Sequence, residues 1–472
     1  MSIHFGTDGW RAVISDEFTF ANVRHVAQAI ADSEPQYRDK GLVVGFDTRF
    51  LSDRYAIEVA RVLAANGIRV YLANADAPTP VISYTIKNLG AAGGIMITAS
   101  HNPPRYNGIK LKSEHGGSAL PAQTRQIEAQ LHHNLSANLE PRITDYDGAL
   151  ARKQIVRLDP LPAYAQHVAT LIDLETIRKS ELAIVVDSMY GAGRGIIAYI
   201  LGPRGRYRVR EIRGEMNPGF GGVYPEPIAR NLGALREEMR NSRWDIGLAT
   251  DGDADRIGAM TSEGIFVDPH QIFSLSLRYL VEQRGWTGDV VKTVSTTMMI
   301  ERLCQKYHLN CYETPVGFNH ICDLMLAGDV LIGGEESGGI SIKGHIPEGD
   351  GILMGLLLLE IVAQSGHSLV ENLAALREEF GPLYYERRDF RVEGCSKAEL
   401  VKLLKVSAPA EVDGIALEGI HDLDGVKYRF VDGSWLLMRP SGTEPLLRVY
   451  AEASSKKLVE ALLDVGQRVC SL

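Results

Sequence analysis

Cysteine is scarce in this chain and follows no pattern: Cys304, Cys311, Cys322, Cys395 and Cys470 are odd in number and include no CxxC pair. That excludes a disulfide framework and a zinc ribbon, and suits reduced thiols in a cytoplasmic protein. Long apolar runs are missing as well. The longest, 352–359, stops at Glu360, far short of the roughly 20 residues that a membrane span requires. The opening MSIHFGTDGWRAV lacks a basic stretch followed by an apolar core, so no signal peptide is expected. Nor is there an excess of positive charge. The formal net charge of −9 argues against a nucleic-acid binder, so basic residues must act locally.

What remains is a chain of ordinary hydrophobic content, 45%, expected to be globular. Its 472 residues are too many for one core, and the length suggests about three to four domains. Three segments open alike. GLVVGFDTR (41–49), ELAIVVDSMYGAG (181–193) and DVVKTVSTT (289–297) are short apolar runs that end in Asp47, Asp187 and Ser295. Each leads into a helical pattern and then a second strand, at 68–72, 207–212 and 310–313. Strand, polar turn, helix, strand is the pattern of a parallel or mixed sheet with helices on both faces. Three such units predict three related α/β domains. After Glu379 the style changes to short alternating strands and a helix from Lys456 onward, which predicts a smaller C-terminal α+β domain. Proline-rich and polar stretches at 140–161 and 261–268 mark junctions. The division adopted is 1–153, 154–258, 259–376 and 377–472.

Four loops carry residue types suited to chemistry, as expected near the carboxyl ends of strands in α/β folds. TASHNPPRYNGIK (98–110) leaves a buried strand through Ser100, His101, Asn102 and two prolines. Proline narrows the loop's shapes and holds the serine hydroxyl in place. TDGDADR (250–256) alternates Asp251, Asp253 and Asp255, which can face one centre. Converging carboxylates repel unless a cation lies between them, and hard oxygen ligands fit Mg²⁺ or Ca²⁺. An EF-hand begins similarly, but Arg256 replaces its glycine and Ser262 its glutamate. Arg256 is placed to hold a phosphoryl group on the ion. GGEESGG (333–339) offers Glu335 and Ser337 on one side of a glycine-flanked loop, suited to adjacent sugar hydroxyls. RPSGTEPLLRVY (439–450) gathers Arg439, Ser441, Gly442, Thr443 and Arg448, donors that form an anion nest.

Taken together, TASHNP, DGDADR, GEESGG and RPSGTEP, in this order and after the opening GTDGWR, are similar to the motifs of the phosphohexomutase superfamily, the phosphoglucomutases and phosphomannomutases. The resemblance spans essentially the whole chain and is greatest to a bacterial-type phosphoglucomutase. It implies four domains around a central cleft. It also implies that Ser100 carries the phosphoryl group and that Ser100, Asp251, Asp253 and Asp255 bind Mg²⁺. Glu335 and Ser337 would read sugar hydroxyls, and Arg439, Ser441, Gly442, Thr443 and Arg448 the substrate phosphate. Lys110 and Arg11 match active-site positions. A phosphoserine solves the problem of moving phosphate from O1 to O6 of a hexose, because it donates to one hydroxyl and recovers phosphate from the other end. Glucose 1,6-bisphosphate is the expected activator. Lys110 is the preferred proton acceptor, with His101 its rival.

TPVGF (314–318) resembles the loop that precedes the sugar motif, which brings Gly317 to the sugar. Many relatives continue with lysine where Asn319 and His320 stand here. GEESGG is closer to the form in glucose-directed members than to the GEMSG or GEQSG forms tied to mannose or glucosamine. The expected partners are small sugar phosphates, without nucleic acid or membrane, for a monomer or small homo-oligomer.

Overall fold

The computed structural model describes residues 3–6, 9–392, 396–440 and 446–470. The first sheet contains β1 (Trp10–Val13), β2 (Leu42–Phe46), β3 (Val70–Ala73), β4 (Gly93–Ile97), β5 (Tyr106–Ser113) and β6 (Ile155–Leu158), in the order β1-β5-β4-β2-β3-β6. The second has β7 (Ala183–Asp187), β8 (Arg208–Ile212), β9 (Ile246–Thr250), β10 (Ile257–Thr261) and β11 (Phe266–Val267), ordered β11-β10-β9-β7-β8. The third has β12 (Asp289–Thr293), β13 (Cys311–Thr314), β14 (Val330–Gly334) and β15 (Ile340–Ile342), ordered β13-β12-β14-β15.

One plan underlies all three sheets. In each, two strands flank a central one in parallel, and the next strand of the chain turns back antiparallel at the edge of the last: β4 to β5, β9 to β10, β14 to β15. The serine loop, the aspartate loop and the glycine-flanked loop are these three reversals. Repetition of topology thus delivers three chemically different loops to equivalent positions. β2, β4, β7, β9 and β14 are buried at every position, as required when helices cover both faces of a parallel sheet.

The fourth sheet is antiparallel throughout: β16 (Tyr384–Arg391), β17 (Glu411–Val412), β18 (Ile415–His421), β19 (Val426–Phe430), β20 (Trp435–Pro440) and β21 (Leu446–Ala453), ordered β16-β21-β20-β19-β18-β17. β16 and β18 alternate half-buried with exposed positions, the mark of a sheet covered on one face. Helices Lys397–Val406 and Lys456–Cys470 belong to this unit. Its core, built on Leu404, Tyr428, Leu436, Leu447 and Leu462, is separate from the continuous core of the first three units. A smaller cluster of Val294, Met298, Trp435, Leu437 and Tyr450 joins the two.

Two details of the sequence-based division differ. β6 pairs in parallel with β3, so the first sheet extends beyond residue 153 to Leu158. The 261–268 stretch is a hairpin, since β11 pairs with β10, and Asp268 then caps helix Pro269–Glu282. A division at 258 would cut β10, which reaches Thr261. The 352–359 run lies in helix Gly351–Ser365, buried from Gly351 to Val362. Glu360 is tolerated there because Tyr279, Arg284 and the Asp173 N–H all donate to it. No single helix among the described residues is long and apolar enough to cross a membrane.

Candidate active site

Ser100 lies in the β4–β5 reversal, fully buried and with φ +50°, a left-handed conformation rarely taken by a side-chain-bearing residue. Holding it there costs about 1–3 kcal/mol, which the surrounding contacts must offset. Its N–H donates to Thr98 Oγ1 at 2.8 Å, and its Oγ donates to Asp251 Oδ2 at 2.8 Å. His101 Nδ1 lies 3.4 Å from the same Oγ. Burial, with the charges of Arg256, Arg11 and Lys110, pushes the His101 imidazole well below its usual value. Arg11 reaches the loop from β1, donating to Asn102 Oδ1 at 2.6 Å.

Asp251, Asp253 and Asp255 occupy the β9–β10 reversal, where all three are buried and present ligand atoms within 4.8 Å of one another. Strand pairing, not a helix pair, flanks them, which disposes of the EF-hand comparison. Lys110, on β5, donates to Asp253 Oδ2 at 2.8 Å and Asp255 Oδ2 at 2.7 Å. Arg256 donates its N–H to Asp251 Oδ1 at 3.2 Å. Its guanidinium Nε is 3.8 Å from Asp255 Oδ1. Burial and the neighbouring Asp255 and Asp253 push Asp251 well above the usual carboxylate range. Burial acts the same way on Asp253, but the Lys110 ammonium prevails and holds it far below that range. Asp253 Oδ1 and Asp255 Oδ1 are buried with no hydrogen-bond partner among the described residues. Buried oxygens left over beside converging carboxylates fit a hard divalent cation.

Glu335 and Ser337 fall in the β14–β15 reversal and share a side, with Ser337 Oγ 3.5 Å from Glu335 Oε2. Gly317, ahead of helix Phe318–Ala327, donates its N–H to Glu335 Oε1 at 2.9 Å. Burial raises the Glu335 carboxyl to about 7 against the opposing charge of Arg256. Glu336 turns away from this pair, accepting from Tyr385 Oη at 3.0 Å on β16. Asn319 packs in the first helical turn beyond Gly317 and is buried.

Arg439 on β20 and Arg448 on β21 are direct cross-strand partners. Like charges placed opposite one another are unfavourable without an anion between or beside them. Ser441, Gly442 and Thr443 lie outside the described residues.

Four family models match the chain in order: phosphoglucomutase/phosphomannomutase alpha/beta/alpha domain I at 2–138, domain II at 162–264, domain III at 268–380, and the C-terminal domain at 390–465. A phosphoglucomutase/phosphomannomutase of Thermococcus kodakarensis is 31% identical over 465 residues, covering 98% of this chain and 97% of that one. The chain belongs to the phosphoglucomutase/phosphomannomutase family. A second T. kodakarensis relative, named as a probable phosphoglucosamine mutase, is 31% identical over 99% of this chain and 98% of its own. A solved structure from Thermus thermophilus, named as a putative phosphomannomutase, is 36% identical with a TM-score of 0.86 and full coverage of both chains.

Within this phosphohexomutase scaffold the structure also exposes residues that the motifs did not single out. Arg49, fully buried just beyond β2, donates to four carbonyls of the serine loop: Ser100 and Asn102 at 2.6 Å, Pro103 and Tyr106 at 2.9 Å. Asp47 orients the same corner, accepting from Thr98 Oγ1 at 2.6 Å and Ser52 Oγ at 3.0 Å, and burial raises its carboxyl to about 6. Thr79 binds Asp253 twice, through Oγ1 at 2.5 Å and through its N–H to the carbonyl at 2.9 Å. Asp47 carried a signal, being the polar end of an apolar strand. Thr79, at the start of helix Thr79–Leu89, carried none.

Proposed function

We propose that this phosphohexomutase family member interconverts hexose 1-phosphate and hexose 6-phosphate through a phosphoserine at Ser100, with glucose as its sugar. The observation that carries this reading is the 2.8 Å contact between Ser100 Oγ and Asp251, beside two aspartates whose remaining oxygens are buried and accept no hydrogen bond among the described residues. Ser100 donates its phosphoryl group to a sugar hydroxyl: the serine P–O bond breaks, a sugar P–O bond forms, and the hydroxyl proton passes to a base. The resulting glucose 1,6-bisphosphate turns and returns its other phosphate to Ser100, and a proton goes back to the sugar oxygen left behind. Lys110, preferred from the sequence as proton acceptor, is ion-paired as an ammonium with Asp253 and Asp255 and, with Arg256, offsets charge on the moving group, which leaves His101 beside Ser100 Oγ as the proton carrier. Ser100 with Asp251, Asp253 and Asp255 would hold Mg²⁺, which when bound neutralises charge developing on phosphoryl oxygens. Glu335, Ser337 and Gly317 face the sugar, while Arg439 and Arg448, with Ser441, Gly442 and Thr443, hold the phosphate that is not reacting.

A separate arginine clamp favours a mutase over a sugar-phosphate phosphatase, which has no need to retain a second phosphate. Mannose, alone or with glucose, is the second reading, supported by the names of the T. kodakarensis and T. thermophilus relatives. Turnover of glucose 1-phosphate, mannose 1-phosphate and glucosamine 1-phosphate, each with Mg²⁺ and after chelation, tests both substrate and metal. The expectation is greatest kcat/KM for glucose and loss of turnover after chelation that Mg²⁺ restores. A preference for mannose or glucosamine would replace the sugar assignment, and free phosphate as the main product would replace the reaction. The proposed setting is a cytoplasmic monomer or small homo-oligomer acting on small sugar phosphates.

A further inference from the structure

Asp424 belongs to none of the four motifs, yet one of its oxygens serves both ends of the site. It lies in the turn between β18 and β19. Oδ2 accepts Arg439 Nε at 2.6 Å and the N–H of Val316 at 3.1 Å. The next N–H along the chain, that of Gly317, donates to Glu335 Oε1 at 2.9 Å. The hydroxyl reader and the phosphate clamp, which sit on different sheets, are therefore linked through one carboxylate and two adjoining peptide units. Each peptide unit is planar, so the link can flex only about the Val316 φ and ψ.

The Asp424 and Arg439 side chains are only 15% and 16% exposed, so their charge-assisted bond is weakened less by water and salt than a surface pair. Arg439 also has a like-charged cross-strand neighbour in Arg448, which is itself opposite Asp389 on β16. Asp424 restrains it through Nε, and a phosphate needs only the two terminal nitrogens for a forked contact.

We propose that Asp424 is a positioning residue that fixes the span between the phosphate clamp and the sugar-reading carboxylate, and so retains the bisphosphate while its ends exchange at Ser100. This rests on the mutase reading above. During the exchange the clamp must give up one phosphate and take the other before the intermediate leaves the protein. A wandering guanidinium recaptures it less well.

Asp424→Asn keeps the shape and removes the charge, and Asp424→Glu restores the charge on a longer arm. For Asp424→Asn the KM for glucose 1-phosphate should rise about tenfold, the worth of one charge-assisted hydrogen bond. Single-turnover phosphoryl transfer from the phosphorylated protein at saturating sugar should stay within about threefold of wild type. Free glucose 1,6-bisphosphate should accumulate in solution, and steady turnover should come to depend on added bisphosphate. Asp424→Glu should recover part of the KM and suppress the release. Unchanged KM with no released bisphosphate overturns the proposal, as does a uniform loss of kcat and melting temperature without release, which marks a purely structural role. Arg439→Ala, measured in parallel against glucose 1-phosphate and free glucose, isolates the underlying reading. Equal affinity losses for both ligands would remove the clamp itself, whereas a selective loss there combined with a wild-type Asp424→Asn would remove only Asp424.

Discussion

Ser100 and Asp251 stand 151 residues apart in the chain and meet at 2.8 Å, hydroxyl to carboxylate, where the first and second sheets bring their loops together. The contact places the candidate nucleophile directly against the aspartate loop. Ser100→Ala should lower turnover by about a thousandfold or more, the usual scale for removal of a covalent nucleophile. Sugar-phosphate binding should survive, since the arginines and Glu335 are untouched. Stopped assays and intact mass after incubation with glucose 1,6-bisphosphate check both halves. A phosphorylated Ser100→Ala protein would move the acceptor elsewhere.

Gly252 packs closely against the serine loop. A Cβ there would lie 2.5 Å from the Ser100 carbonyl oxygen and 3.3 Å from Pro225. Gly252→Ala must therefore push the aspartate loop from the serine. A displacement of about 1 Å at a reacting centre costs on the order of a hundredfold in rate. That loss in kcat is expected with secondary structure intact, as measured by steady-state kinetics beside circular dichroism.

Arg49→Lys tests what holds the serine in its left-handed conformation. Lysine presents a point charge where the guanidinium forks to four carbonyls. Some of those carbonyls would be left buried and unpaired, costing about 1–3 kcal/mol each. A melting temperature lower by several degrees, and a lower kcat, should follow in calorimetry and rate assays. A full-speed, fully stable Arg49→Lys protein would mean the prolines suffice.

Glu335 gives a pH prediction with a definite sign. Burial raises its carboxyl to about 7, so the folded chain prefers it protonated. Its contribution to stability is complete below the ordinary glutamate value of about 4.3 and is lost as pH rises through about 7. Glu335→Gln, neutral at every pH, should flatten that slope between about pH 5 and 8. The KM for sugar phosphate should also lose a titration near neutrality. Equal pH slopes in wild type and Glu335→Gln would contradict the assignment.

Much of this molecule was legible in its residues because the carriers of chemistry sit at strand ends. The βαβ repeats at 41–72, 181–212 and 289–313 appear as strands at nearly the expected places, since fully buried parallel strands must be continuous apolar runs. Ser100, the three aspartates and Glu335 stood out as polar residues directly following such runs. The C-terminal unit was harder. β17, β18 and helix Lys397–Val406 were missed, because one-sided strands and a surface helix carry weaker patterns.

By itself the sequence determined which strand-end loops carry residue types suited to chemistry, because local hydrophobic patterning and residue chemistry are properties of short stretches. Tertiary structure alone decided which groups share a site: Thr79 with Asp253, Arg49 with the serine loop, Asp424 with both Arg439 and Val316. Those partners are backbone carbonyls, N–H groups and carboxylates brought in from distant segments. A backbone group has the same chemistry in every residue, so the sequence bears no mark of the contact until folding sets the distance.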